Sequence, residues 1–393
     1  MQSTGEGSGI TRRHALRWLG AGAGFATLAW GETPEPRIEP TAVTVAGGLS
    51  HPWSLAFLPD SRMLVTERTG TLRIVTETGA ASAPIAGIPA VDARGQGGLL
   101  DVALDPAFAA NRRVYLSYAE PGSGAESGRN GTAVARGTLA ADGTRLANLQ
   151  VIFRQQPKIA STAHFGSRLA FAPDGTLFIT LGERYSQRGQ AQNLGNHLGK
   201  VVRIRPDGSI PQDNPFAHTA GIMPEIWSYG HRNVQGAAIH PATGELWTSE
   251  HGPQGGDEVN IDRAGRNYGW PRISFGCEYG APVGHCTPVG GAASAPGMEQ
   301  PVTCWVPTSI APSGLMFYTG ERLPQWRGNL FLGALAGRAL WRLRLDGDTV
   351  AAREALFTGL NERIRDVRQA PDGSIYLVTD GAAGRILRVQ PAA

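Results

Sequence analysis

HFGSRLAFAPDGTLFITLGE, residues 164–183, joins a histidine on a loop to a strand, a tight turn, and a second strand that ends in an acid. The turn-and-strand half of this stretch recurs along the chain. Copies read LPDSRMLVTERTG at 58–70, DPAFAANRRVYLSY at 105–118, APDGTLFITLGE at 172–183, HPATGELWTSEHG at 240–252 and APDGSIYLVTDG at 370–381, with an altered sixth in PQWRGNLFLGALAG at 324–337. Each carries a Pro-Asp-Gly-like turn and then a short apolar strand of near-alternating pattern. Successive copies lie roughly 46 to 84 residues apart, the span of a four-stranded blade plus a variable loop. Six copies predict an all-β chain, a six-bladed β-propeller of four-stranded antiparallel blades.

Length alone, at 393 residues, suggests two or three domains. The repeats override that reading, because propeller blades close into one ring through shared apolar interfaces. We expect the ring to occupy 41–393, preceded by a linker at 31–40 (GETPEPRIEP). The 53 glycines and 27 prolines are spread among turns rather than gathered into a low-complexity tract. Residues 1–30 read as an export signal. Arg12 and Arg13 precede the small, weakly apolar run LGAGAGFATLAW, the pattern of a twin-arginine signal. That run is too short and too glycine-rich to serve as a stable membrane span, and the expected location is periplasmic or secreted. The chain carries a formal charge of +3; without Arg12, Arg13, Arg17 and Glu6 it has 33 basic and 32 acidic residues. A near-neutral mature protein argues against nucleic acid or an anionic membrane as partner. In an oxidising compartment Cys277 and Cys286 are expected to pair across their loop and leave Cys304 over. Zinc is the weaker reading of these cysteines, since the spacing and the supporting histidines are missing.

A propeller carries its functional loops at the ends of the central channel, and unrelated chemistries use it. His164 is a candidate general base, with Glu183 placed to fix its tautomer; on residue evidence alone a turn histidine is the plainer reading. Arg232 and Asn233, in SYGHRNVQG, pair a guanidinium with an amide, a combination that stabilises a developing oxyanion or simply satisfies a turn. EHGPQGGDEVN at 250–260 and GRNYGWP at 265–271 combine glycines, which let carbonyls turn toward a hard cation, with Asp257 and Glu258. Arg363 and Arg365 alternate on an extended segment and suit a polycarboxylate, although pairing with Glu362 or Asp366 explains them equally. The glycine-rich loop around Gln96 has no Lys-Ser/Thr ending and precedes a strand, so it is a poor phosphate cradle.

Taken in order, GLSHPWSLAFLPD, GQGGLLDVALDP, HFGSRLAFAPDGTLFITLGER, SYGHRNVQG, SEHGPQGGDEVN, NYGWP and RIRDVRQAPDGSIYLVTD resemble the soluble quinoprotein sugar dehydrogenases, in particular their aldose sugar dehydrogenase branch. The resemblance runs from about 43 to 390, nearly the whole mature chain. It implies pyrroloquinoline quinone (PQQ) and Ca2+ as cofactors, an aldose as substrate and an external electron acceptor (a cytochrome, quinone or dye) as partner. It implies catalytic roles for His164, Glu183 and Arg232, and cofactor contacts at Gln96, Arg232, Asn233, Tyr279, Arg363 and Arg365. It places calcium on carbonyls of Gly252, Pro253 and Tyr268 and on Glu258. Where the family commonly has a cofactor-binding lysine this chain has Ala336, and Arg338, two positions on along an expected strand, is the nearest replacement. Two other classes compete. A metal-dependent lactonase would gather acidic or Asn ligands at the channel. A non-catalytic propeller binding protein or glycan would accommodate Ala336 but leave His164, Arg232, Arg363 and Arg365 unexplained as a set.

Overall fold

The structure, a computed structural model, describes residues 40–391. The expected export signal and all but the last residue of the linker lie outside the described residues. Six antiparallel sheets follow one another along the chain. Blade 1 takes Pro52–Phe57, Met63–Glu67 and Thr71–Val75. Blade 2 takes Leu99–Leu104, Arg113–Pro121, Asn130–Leu139 and Leu146–Arg154. Blade 3 takes Gly166–Phe171, Leu177–Leu181, Lys200–Ile204 and Ile226–Tyr229, and blade 4 takes Val234–Ile239, Leu246–Glu250, Asp257–Asp262 and Thr303–Trp305. Blade 5 takes Pro312–Phe317, Leu330–Ala334, Ala339–Asp346 and Thr349–Leu356, and blade 6 takes Ile364–Gln369, Ile375–Thr379 and Gly384–Gln390. The fourth strand of blade 6 is Thr41–Leu49, from the other end of the chain, paired antiparallel with Gly384–Gln390. The chain is thus a six-bladed β-propeller closed by its N-terminal strand.

Blade 1 has three regular strands, and its fourth is an irregular edge. Ser82 N–H donates to Ile74 O and Ile85 N–H to Leu72 O, each at 2.8 Å. Between them Pro84 has no N–H to offer, which prevents a regular ladder there.

All six sequence repeats fall at one place, the hairpin between the first and second strand of a blade. Leu58 N–H reaches Arg62 O at 2.7 Å, Ala172 reaches Thr176 at 2.9 Å, and Ala370 reaches Ser374 at 2.8 Å. Blades 2 and 5 lengthen this turn with the short helix Phe108–Asn111 and the 3-10 turn Pro324–Trp326. The first strands of successive blades are neighbours all the way round, including that of blade 6 against that of blade 1.

The second strand of each blade is buried on both faces, which explains why it reads as an apolar run rather than strict alternation. Leu64 packs with Leu99, Val114 and Ala133 of blade 2, whereas its neighbours Met63 and Val65 pack with Tyr376, Val378 and Ile386 of blade 6. Toward the axis the lining turns polar. Asp101 accepts from Arg168 Nη1 at 3.1 Å and from Arg368 Nη2 at 3.0 Å, Asp366 accepts from Arg368 Nε at 2.9 Å, and Ser54 Oγ lies 2.6 Å from Asp101. This buried cluster joins blades 1, 2, 3 and 6, with two carboxylates balancing two guanidiniums.

Candidate active site

First and second strands run antiparallel, so the starts of the first and the ends of the second gather at one end of the channel. Gln96, His164, Arg232, Asn233 and Arg363 immediately precede first strands, and Arg365 lies just inside one; Glu183, His251 and Asp380 follow second strands. Residues far apart in sequence therefore meet because each blade repeats the same hairpin.

His164 is buried and holds φ 53°, in the left-handed region. Its Nδ1 lies 2.9 Å from Glu183 Oε2. A carboxylate only accepts, so Nδ1 carries the proton and Nε2 presents a lone pair; Nε2 has no partner among the described residues. The His164 N–H donates to Gln96 Oε1 at 2.9 Å. Gly182 makes the close approach possible, since a Cβ there would stand 2.2 Å from His164 O and 3.0 Å from Asn233 Oδ1. Burial lowers the His164 pKa below its ordinary 6.5; Glu183 opposes this, and the charges of Arg232 and Arg184 add to it. The imidazole is therefore neutral at pH 7 and able to take a proton.

Blade 4 contributes the next layer. The Glu183 N–H donates to Arg232 O at 2.9 Å, and Asn233 Oδ1 accepts from the Gly166 N–H at 3.1 Å. The Arg232 guanidinium donates to His251 O and to Tyr279 Oη, both at 3.1 Å. From blade 6, Arg363 and Arg365 both bond Asp380 Oδ2, at 3.1 and 3.0 Å, and Arg365 also donates to Gln235 Oε1 at 2.6 Å. Burial resists ionisation of Asp380, but these two arginines outweigh it and hold its pKa at about 2. The sequence had offered Glu362 and Asp366 as partners for the arginines. Instead Glu362 pairs with Arg385, and Asp366 belongs to the axial cluster. Arg232 Nε, Asn233 Nδ2 and Arg365 Nε are buried donors that bond nothing among the described residues. Such groups are costly to leave unpaired, and together they suit an acceptor-rich ligand.

The four residues expected around calcium do come together. Gly252, Pro253, Glu258 and Tyr268 line one cavity of about 20 Å³, beside Arg232 and Glu250, large enough for a single water-sized body. The carbonyls of Gly252, Pro253 and Tyr268 accept no hydrogen bond from any described residue. Burial, with Glu250 adjoining, pushes the Glu258 carboxyl up to about 8, the mark of a place short of positive charge. Unsatisfied carbonyls around a buried acid fit a hard, oxygen-loving cation. Among the described residues no group of three or more His, Cys, Asp or Glu forms a metal cluster.

Comparison with known proteins shows the family. Residues 49–388 match the family model described as Glucose / Sorbosone dehydrogenase. The chain belongs to that family. It is 46% identical to the aldose sugar dehydrogenase YliI of Escherichia coli (strain K12), over 87% of this chain and 91% of that one. A crystal structure of a glucose dehydrogenase shares 51% identity at a TM-score of 0.84, covering 90% of this chain and 100% of the other. A PQQ-bound aldose sugar dehydrogenase from Streptomyces coelicolor shares 31% at a TM-score of 0.73, covering 90% and 99%.

Within this family member the disulfide joins Cys277 to Cys286, and Cys304 is free. One expectation from the sequence fails on geometry. Residues 335–338 form a turn beyond the strand Leu330–Ala334, so strand alternation does not place Arg338 beside Ala336. Arg338 instead bonds Asn361 Oδ1 at 2.8 Å, in the open. Three site residues had no assignment from sequence. Arg68 follows a second strand, and its Nε is a buried donor without a partner among the described residues. His251, whose pKa is held well below the ordinary value by burial and the nearby charges of Arg232 and Arg365, lies 2.7 Å from Pro312 O through Nε2. His231 bonds Glu250 at 3.0 Å and Ser228 at 2.8 Å. Burial disfavours its charge, but Asp262 and Glu250 raise its pKa to about 10. All three stand inside quoted motifs; what identifies them is the approach of blades distant in sequence.

Proposed function

We propose that the protein oxidises aldose sugars at C1 to aldonolactones, with PQQ and calcium as cofactors and His164 as general base. The carrying observation is the His164–Glu183 pair at 2.9 Å within a shell of buried donors that lack partners, a set that fits a flat, multiply acidic quinone. Arg363 and Arg365 would bind its carboxylates, exchanging part of their hold on Asp380 for it. Arg232 and Asn233 would hold the quinone oxygen that gains charge, and Gln96 and Tyr279 would border the ring. Calcium would rest on the carbonyls of Gly252, Pro253 and Tyr268 and on Glu258. When bound, the quinone supplies an acceptor for the hydride leaving the anomeric carbon.

The protein's own work is proton handling and placement. His164 Nε2 takes the hydroxyl proton as the C–H bond breaks, so two electrons leave the sugar with the hydride and one proton stays on the imidazole. Glu183 keeps Nδ1 protonated throughout and steadies the imidazolium that forms. The electrons then pass to an external acceptor. Secretion or periplasmic residence is proposed from residues 1–30 together with the disulfide; no helix among the described residues is long and apolar enough to cross a membrane.

Titrating apoprotein with PQQ, with and without calcium, tests this reading. We expect saturable binding strengthened by calcium, and oxidation of glucose or another aldose with an artificial electron acceptor. A protein that neither shifts the quinone absorbance nor oxidises any aldose at saturating cofactor would sink it in favour of a binding propeller.

A further inference from the structure

Tyr185 is among the most exposed large side chains of the described residues, at 56%, yet it is built into the catalytic pair. Its N–H donates to Glu183 Oε2, the oxygen that also meets His164 Nδ1. Its ring stands edge-to-face on the His164 imidazole, with centroids 5.2 Å apart. The phenol hydroxyl has no hydrogen-bond partner among the described residues.

The backbone is strained to hold this placement. Arg184 and Tyr185 take φ of 64° and 62° in succession, a conformation that side chains other than glycine and asparagine rarely adopt. Arg184 fastens the strained pair. It is fully buried, donates to Ala163 O at 3.0 Å, Asn130 O at 3.0 Å and Ser161 O at 2.6 Å, and lies 3.8 Å over the Phe165 ring. Ala163, Ser161 and Phe165 belong to the loop that carries His164, so base and exposed ring are locked into one unit. Strain held by a buried anchor, with an aromatic ring facing water beside a proton acceptor, calls for a ligand-facing role rather than a core role.

We infer that the Tyr185 ring is a wall of the sugar subsite, stacking on the C–H face of an aldopyranose and fixing the ring so that its anomeric hydroxyl meets His164 Nε2. The inference rests on the function proposed above and names a specificity determinant within it. Such a face discriminates by the ring's flatness. Pyranoses with a continuous C–H face should bind better than those with an axial hydroxyl interrupting it.

The test compares Tyr185→Ala, Tyr185→Phe and Tyr185→Asn with wild-type holoenzyme; asparagine tolerates the left-handed backbone if alanine does not fold. Three quantities are measured: KM and kcat for several aldopyranoses, PQQ affinity of the apoprotein, and calorimetric binding of an anhydroalditol, a pyranose ring with no anomeric hydroxyl to oxidise. Loss of an aromatic stack should raise KM and weaken anhydroalditol binding about fivefold to tenfold in the Ala and Asn variants. The Phe variant should stay near wild type, and PQQ affinity should not move. Unchanged KM and unchanged anhydroalditol binding in both Ala and Asn variants overturn the inference. So does a loss of PQQ affinity with sugar binding intact, which would make the ring a cofactor wall. A wild-type holoenzyme that oxidises no aldose overturns the proposed function, and this inference with it.

Discussion

At the scale of single residues, the site is organised around one imidazole whose two nitrogens have different tasks. Nδ1 is committed to Glu183, and under the proposed function Nε2 takes the substrate's proton. Replacing His164 with Ala should leave PQQ binding intact and slow turnover at least about a hundredfold, the lower scale for loss of a positioned base. The pH profile gives a sharper check. The base works only when neutral, so activity falls as pH drops through its folded pKa. Burial, aided by Arg232 and Arg184, places that pKa below 6.5, and the acid limb of kcat/KM should therefore lie below the usual histidine position. Glu183 pushes the other way, so Glu183→Gln should move the limb further to acid while the plateau drops because the tautomer is no longer fixed. A limb at or above 6.5, or one that stays put in Glu183→Gln, would remove His164 from this role. The meeting of these two side chains was legible because the repeat places them at neighbouring strand ends. The partner of Arg363 and Arg365 was not, because nearness in sequence favoured Glu362 and Asp366, whereas Asp380 reaches them from the end of the next strand.

At the scale of elements, the loop of blade 4 between Asp257–Asp262 and Thr303–Trp305 carries both the expected cation ligand Tyr268 and Tyr279. The latter stands within the disulfide-closed segment Cys277–Cys286, whose ends lie 6.2 Å apart at Cα. That segment is seated by Gln254, which exchanges backbone bonds with Cys277 at 2.9 and 3.0 Å and donates through its side chain to Ala281 O at 2.6 Å. Glu278 also bridges to Arg188 of blade 3, so the loop spans two blades at the channel mouth. Closing a short loop contributes about 2–3 kcal/mol of ordering, and here the ordered group is the phenol that bonds Arg232. Cys277→Ser with Cys286→Ser should weaken PQQ binding about tenfold, the worth of one charge-assisted hydrogen bond. The thermal midpoint should fall by only a few degrees as the restriction on the unfolded chain is lost. A calorimetric scan and a PQQ titration on the same variant decide it; a lowered midpoint with unchanged affinity would reverse the assignment. The pairing of these cysteines could be expected from spacing, but its consequence for Arg232 required the structure.

At the scale of the whole molecule, six repeats forecast six blades because each copy is the same hairpin buried between two neighbours. What the repeats did not disclose is how the ring closes. Thr41–Leu49 has no repeat signature, since an outermost strand faces neither the channel nor a tight turn, yet it supplies the edge partner of Gly384–Gln390. Ala46 and Leu49 pack with Leu55 and Met63 of blade 1 and with Ile386 of blade 6, so this strand seals the ring where blade 6 meets blade 1. Deleting residues 1–49 removes this strand, exposes the backbone edge of Gly384–Gln390 and opens that apolar cluster. Burial of two such side chains and a strand's ladder amounts to several kcal/mol, a large share of a domain's roughly 5–15 kcal/mol. The shortened protein should melt well below a chain beginning at residue 40 and associate through its bare edge. Thermal scans and size-exclusion chromatography of the two shortened forms make the comparison. Equal midpoints and a monomeric elution for both would show that the ring stays shut by the interfaces of its blades alone.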